Sequence, residues 1–347
     1  MRVLVIGGTG LISTAIVEQL LARGHDVITM TRGHTRPRIS GTIPNIRCDR
    51  RDTEAFAAVA SDVTVDAVID MVAFQLEDSR AAYEAFRGRV RHFIHCSTVC
   101  VYGGLLSTLP AIETEPHTPV GEYGLNKSAC EAFLMGRHAE EGFPVTIIRP
   151  SHTYGEGGTI VHSLGWDTAY IDRLRAGLPI VVHGDGQSLW ASAHISDVAR
   201  AFVNVLGNAM AVGEAYHVTG EEWMSWNQYH TRVARVLDGR YHPVFIPAND
   251  LYAMAPDRAA MAFEIFQWPS IFDNSKARRD LGYEYRISWE DGVRRTVRWL
   301  DEHCGITSAE SDPYPDRLIA AWELGRDTAK AALDTSLLEV PVNEMPG

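Results

Sequence analysis

The run Arg2-Val3-Leu4-Val5-Ile6, broken by Gly7-Gly8-Thr9-Gly10 and followed by the stretch Leu11 to Arg23, constrains this chain more than any other feature. The aliphatic run reads as a buried strand. Leu11, Ile12, Ala15, Ile16, Leu20 and Leu21 recur at the spacing of a helix packed on a sheet. Strand, glycine turn and helix in that order cradle the pyrophosphate of a dinucleotide. Gly7 permits the tight turn, Gly10 lets the backbone approach, and the start of the helix, with Thr9, Leu11 and Ile12, faces the negative charge. The third small position holds Ser13 in place of glycine, small enough for close helix-strand packing without being its equivalent.

A hydroxyl, a phenol and an ammonium follow at a spacing that one redox site can use. Thr98 lies in Ser97-Thr98-Val99-Cys100-Val101-Tyr102-Gly103, and Tyr123 and Lys127 lie in Glu122-Tyr123-Gly124-Leu125-Asn126-Lys127. Residues four apart share a helix face, so the Lys127 ammonium is expected to lower the phenol pKa of Tyr123 from its usual value near ~10. Such a tyrosine takes a proton from an alcohol while hydride leaves the same carbon for a nicotinamide lying alongside.

These motifs, in this order, resemble the extended short-chain dehydrogenase/reductases of the nucleotide-sugar epimerase/dehydratase superfamily over roughly residues 1 to 305. The likeness also rests on Cys48-Asp49-Arg50-Arg51-Asp52, on the apolar run Ala67 to Val72 leading to Ala73, and on Arg149-Pro150 with Tyr154-Gly155. The resemblance implies that Thr98 bonds the reacting oxygen, Tyr123 is the acid/base, Lys127 holds the nicotinamide ribose, Asp49 lies near the adenine and Ala73 borders the cofactor.

Alternating strand and helix signals to about residue 155 predict an α/β fold, a Rossmann-type doubly wound parallel sheet with a smaller mixed α/β substrate lobe. Strands are expected at 1–6, 26–31, 45–48, 67–72, 92–97 and 144–149, and a helix from about Tyr123 to just before Gly142. Residues 1–155 make the dinucleotide-binding domain, with 195–220 returning to it. Residues 156–194 and 221–306 form the lobe, including helices at 226–237 and 289–303 and a strand at 243–246. The tail, 307–347, carries a candidate helix at 316–333 and an extended end, and reads as a packed tail or subunit contact, which leaves a homodimer open.

A chain of 347 residues, 46% of them hydrophobic, can bury one large core and a smaller one. No apolar run approaches a membrane span, and the first residues already read as a strand. Cys48, Cys96, Cys100, Cys130 and Cys304 show no paired or metal-ligand spacing, and the histidines form no ligand set, so a reduced cytoplasmic protein without a metal is expected. The net charge of -12 disfavours nucleic acid as a partner.

The second strand ends in Thr31-Arg32-Gly33, then His34, Arg36 and Arg38. An acidic residue at that strand end serves NAD, whereas arginine meets the phosphate of NADP. Arg32 therefore favours NADP, with NAD and a merely solvated basic loop as the alternatives.

After Thr98 the chain has Val99-Cys100 where superfamily 4,6-dehydratases place an Asp-Glu pair, which counts against dehydration. Cys100 stands where GDP-mannose 3,5-epimerase carries an acid/base cysteine, so it could move a proton beside a transient ketone; the alternative is a small buried hydrophobe. The diphosphate-binding asparagine and arginine of the family are replaced by His152 and Leu189. The run Ser188 to Asp197 looks like the branch near the chloroplast stem-loop-binding proteins. A sugar nucleotide leads as substrate, with a nucleoside or another glycoside open, and His152 and Trp190 are candidates to contact it. Three readings follow: an epimerase working by transient oxidation, a net NADP-dependent dehydrogenase or reductase, and a non-catalytic nucleotide- or RNA-binding module. Retention of Thr98, Tyr123 and Lys127 together favours the first two.

Overall fold

A computed structural model describes residues 1–35, 38–39 and 41–334. The chain opens with β1 (Arg2–Ile6) and α1 (Leu11–Ala22). The alternation continues through β2 (Asp26–Thr31), β3 (Asn45–Arg47), α2 (Thr53–Asp62), β4 (Ala67–Asp70), α3 (Leu76–Phe86), β5 (His92–Cys96), α4 (Glu122–Glu141) and β6 (Val145–Pro150). With the later strand Ala215–Val218 these build one seven-stranded sheet, ordered Ala215–Val218, β6, β5, β4, β1, β2, β3. Every pairing is parallel, with Val3 in register with Val27 on one side and Ala67 on the other.

Layers on both faces explain why these strands are apolar along their whole length rather than alternating. Val3 and Val5 point into a core with Ile16, Leu20, Val198 and Phe202, whereas Leu4 and Ile6 point into one with Phe56, Ala82, Phe86 and Leu134. The fold is thus α/β and doubly wound, and the helix Ile195–Asn204 packs against α1 on the first face. β4 ends two residues earlier than its apolar run suggests. The carboxylate of Asp70 accepts the amide of Val72 at 3.2 Å and turns the chain out of the strand.

Strand order reverses between β1 and β4, and the carboxyl ends of these strands open the crevice where ligands bind in such sheets. Facing it is a third core built from Trp190, Trp226, Tyr229, Phe266 and Trp289. Its strands are short: Ile180–His183 pairs with Pro243–Ile246, and Leu189–Trp190 with Met224–Ser225. A π-helical turn, Ala262–Phe266, had no signal in the pattern of apolar residues.

The helix expected at 316–333 spans Tyr314–Asp334. It is fastened to the third core by buried Leu318 and Ile319 and by Arg173, whose Nη1 donates to Asp316 Oδ2 at 3.0 Å and Nη2 to Oδ1 at 2.5 Å. Arg36 and the extended end expected beyond residue 334 lie outside the described residues. No helix among the described residues is long and apolar enough to cross a membrane.

Candidate active site

Two adjoining cavities, of about 640 and 280 Å3, occupy the crevice and share Gly10, Val72 and Phe74. Gly7, Thr9, Arg32 and Asp49 border the larger; Leu11, Ile12, Thr98, Tyr123 and Lys127 border the smaller. Ala73 is buried behind them, between the two shared residues Val72 and Phe74.

The turn from β1 to α1 has the shape a dinucleotide needs. Gly7 has φ +85°, and a Cβ there would stand 2.4 Å from Val72 Cγ1; one on Gly8 would stand 2.5 Å from Thr29 Cγ2. Only glycine allows so tight a passage at Gly7. α1 starts at Gly10 with no side-chain cap, so the amides of its first turn and the positive end of its dipole are left to a ligand. These residues fit the pyrophosphate of NAD or NADP.

The far end of the larger cavity is basic. Thr31 Oγ1 donates to Asn45 Oδ1 at 2.9 Å, and the Arg32 carbonyl accepts from Arg47 Nε at 3.2 Å, which fixes the backbone while the Arg32 side chain stays exposed beside His34 and Arg51. Arg38 leaves this rim. Its Nη1 donates to the Glu156 carbonyl at 3.3 Å and its guanidinium lies 5.7 Å from the Trp299 ring. Asp49 accepts from the Arg51 amide at 3.1 Å.

At the other end, Thr98 caps a short 3-10 turn (Val99–Tyr102), its Oγ1 accepting the Cys100 amide at 3.1 Å. That leaves the hydroxyl proton free to donate, and Thr98 and Tyr123 border the same smaller cavity. Tyr123 is 47% exposed and borders the smaller cavity together with Thr98 and Cys96. Burial pushes the phenol well above its ordinary range, Cys96 and Cys100 add to the rise, and the Thr98 hydrogen bond opposes it.

The lowering expected from Lys127 is therefore not found. Lys127 is 1% exposed, its Nζ donates to the Cys96 carbonyl at 2.7 Å, and it lies 5.9 Å from the centre of the Tyr123 ring. Sequence spacing correctly placed the two side chains on one face of α4, but the end of β5 captures the ammonium.

A buried network sets Thr98 against α4. Glu131, 2% exposed and on α4, receives Arg149 Nε at 3.0 Å from both carboxylate oxygens and Arg149 Nη2 at 2.5 Å. Ser97 Oγ donates to the same carboxylate. Arg149 Nη1 donates to the Tyr102 hydroxyl at 2.5 Å, and Tyr102 bonds His217 Nε2 at 2.6 Å. Ser97 and Tyr102 bracket the Thr98 turn, so this network fixes the distance between Thr98 and Tyr123.

Burial also raises the Cys100 thiol, with a hydrogen bond to Thr98 opposing and the Glu264 charge adding, so the thiol stays protonated at neutral pH. Neither His152 nor Trp190 lines the two cavities, although Ser151 and Thr153 on either side of His152 border the smaller. His152 Nδ1 bonds Ser192 Oγ at 2.8 Å, and burial lowers the ring's pKa to about 3. Trp190, 5% exposed, stacks on Trp226 with ring centres 5.1 Å apart and donates Nε1 to Ser192 Oγ at 3.1 Å, so its ring belongs to the third core. Phe74, which borders both cavities, carries no motif of its own; its position directly after Ala73 is the available signal.

Comparison with known proteins agrees with this arrangement. The family model described as "NAD dependent epimerase/dehydratase family" matches residues 3–219. The chain is 27% identical over 273 residues to 2'-dehydrokanamycin reductase of Streptomyces kanamyceticus, covering 79% of this chain and 77% of that one. It is 28% identical over 337 residues to the chloroplast stem-loop binding protein of 41 kDa b of Arabidopsis thaliana, covering 93% and 85%. Among solved structures, the UDP-glucose 4-epimerase of Stenotrophomonas maltophila, with bound NAD and formylated UDP-arabinopyranose, superposes with a TM-score of 0.73 at 23% identity, over 88% of this chain and 99% of that one. The match to more than half of the chain, on a sheet and glycine turn of the corresponding design, settles the assignment: the chain belongs to the NAD-dependent epimerase/dehydratase family.

Proposed function

We propose that this protein moves a hydride between NAD(P) and one carbinol or ketone carbon of a sugar or glycoside. The observation that carries the reading is the convergence of Thr98, Tyr123 and Lys127 on the smaller cavity, with Lys127 Nζ 5.9 Å from the Tyr123 ring. The nicotinamide cofactor, when bound, supplies or accepts the hydride. Tyr123 gives its phenolic proton to the substrate oxygen in reduction and takes it back in oxidation, and Thr98 holds that oxygen in place. Lys127 supports the ribose side of the site. Arg32, exposed at the rim with no acidic residue at the end of β2, supports NADP as the preferred cofactor.

Two fates of the ketone follow from this chemistry. Epimerase-type turnover would return the hydride within the cycle, with Cys100 moving a proton at the neighbouring carbon; its place beside Thr98 supports that reading. Net reduction is favoured by the protonated state of both Tyr123 and Cys100, because reduction needs an acid at the oxygen and no base at the adjacent carbon. Likeness to a reductase of an oxidised glycoside points the same way.

Stoichiometry separates the two. Incubation with candidate sugar ketones and NADPH in heavy water is expected to consume one cofactor per product with no deuterium gained from solvent at a neighbouring carbon. Solvent deuterium gained without net cofactor consumption would establish epimerisation instead, and its loss in Cys100→Ala would assign the proton step.

A further inference from the structure

Phe74 stands at the junction of the two cavities with no packing role to keep it there. Of the residues that border both, Gly10 brings only backbone, and Val72 is packed so closely under the glycine turn that a Cβ on Gly7 would stand 2.4 Å from its Cγ1. Phe74 brings a phenyl ring that is 49% exposed and lies in none of the packed cores among the described residues. An exposed phenyl is ordinary on an open surface. Lining a crevice, it is the apolar wall that ligand sites present.

The frame that presents this ring is fixed. The Phe74 amide donates to Asp78 Oδ2 at 2.8 Å and the Gln75 amide to the same oxygen at 3.0 Å, within the capping box that starts α3. Asp78 is held in turn by Arg50, with Nε 3.2 Å from Oδ1. These bonds use backbone amides and other side chains, so none of them needs the phenyl. The ring itself faces the residues of hydride transfer. Its centre lies 5.0 Å from Lys127 Nζ and 6.4 Å from the centre of the Tyr123 ring, the two rings tilted by 46°. Lys127 gives one proton to the Cys96 carbonyl, and the Phe74 and Tyr123 rings flank the ammonium, as aromatic faces attract a cation at such range.

Phe74 therefore spans from the cavity that holds Gly7, Arg32 and Asp49 to the one that holds Thr98, Tyr123 and Lys127. A dinucleotide with its pyrophosphate at the glycine turn has to pass this ring to bring a nicotinamide to Tyr123. We infer that Phe74 contacts the cofactor: its ring covers the nicotinamide riboside half of bound NAD(P) and keeps water from it and from the Lys127 ammonium. Excluding water there strengthens the hydrogen bonds that the ammonium offers to ribose hydroxyls. The inference deepens the proposal that the site transfers hydride, and rests on it for the location of the nicotinamide.

The test is fluorescence titration of the protein with NADPH, whose reduced nicotinamide emits, followed by acrylamide quenching of the bound form. Wild type should protect bound NADPH severalfold relative to the free cofactor. Phe74→Ala is expected to weaken NADPH binding about fivefold, the loss that follows from removing roughly half a phenyl of apolar cover, and to raise quenching towards the free value. Phe74→Leu, which keeps an apolar cover, should retain most of both. ADP carries the adenine, its ribose and the diphosphate but no nicotinamide, and should bind Phe74→Ala as well as wild type. That control separates a contact with the nicotinamide half from general damage to the crevice. Unchanged NADPH affinity and quenching in Phe74→Ala, or equal losses for NADPH and ADP, would overturn the inference. So would an effect confined to the KM of a sugar ketone, which would assign the ring to the substrate. Because binding and quenching are read without turnover, the two claims fail separately. Shielded NADPH with no hydride transfer to any sugar ketone would sink the proposed reaction and leave Phe74 in its role. Hydride transfer with NADPH equally exposed in wild type and Phe74→Ala would do the reverse.

Discussion

Lys127 Nζ donates to the carbonyl oxygen of Cys96 at 2.7 Å, tying the second turn of α4 to the end of β5. Both partners are buried, so removal of the ammonium strands a carbonyl in the interior. Lys127→Met is expected to cost about 1–3 kcal/mol of stability in chemical denaturation. The same change should weaken NADPH binding, measured by fluorescence titration. Unchanged stability would show that the lysine is not held at Cys96 in solution.

The raised phenol of Tyr123 sets a pH dependence. A group whose folded pKa lies above its ordinary value stays protonated through neutrality, so an acid-assisted reduction should hold its rate from pH 6 to 9 and fall only above the ordinary tyrosine value near ~10. The reverse oxidation, which needs the phenolate, should climb with pH across that window. A reduction rate that already halves between pH 7 and 8 would mean that Lys127 lowers the phenol after all.

Glu131→Ala leaves the buried guanidinium of Arg149 without its carboxylate, which costs about 3–5 kcal/mol in such sites. It also frees Ser97 and, through Arg149, Tyr102. Denaturant midpoints should fall accordingly. In the fraction that remains folded, kcat should drop more than KM rises, because Thr98 and Tyr123 lose their fixed separation.

Much of this was legible in the sequence, for a physical reason. Strands of a parallel sheet buried on both faces carry largely apolar runs, which is why 26–31 was placed to the residue. Backbone requirements were equally visible, since a Cβ at position 7 would stand 2.4 Å from Val72 Cγ1 and only glycine is admitted there. Electrostatics was not visible. The four-residue spacing of Tyr123 and Lys127 shows that they share a face, but not that burial outweighs the lysine or that the Cys96 carbonyl captures it. Trp190 illustrates the converse, a side chain with plausible chemistry that the packing of Trp226 and Phe266 takes into the core.

Arg32 is expected to set cofactor choice. Arg32→Glu should lower kcat/KM for NADPH about tenfold or more while leaving NADH unchanged or improved, since a phosphate loses its charge-assisted partner and ribose hydroxyls gain an acceptor. Equal losses for both cofactors would mean that Arg32 contacts neither phosphate.

Hydride chemistry with Tyr123 as the proton donor is the centre of the account, and NADPH deuterated at the nicotinamide C4 tests it most directly. Mass spectrometry of a sugar ketone incubated with that cofactor should show one deuterium fixed at the former carbonyl carbon with the wild-type protein, and a loss of about a hundredfold or more in that transfer with Tyr123→Phe. A folded, NADPH-binding protein that transfers no label to any sugar ketone, or transfers it equally well in Tyr123→Phe, would contradict the account.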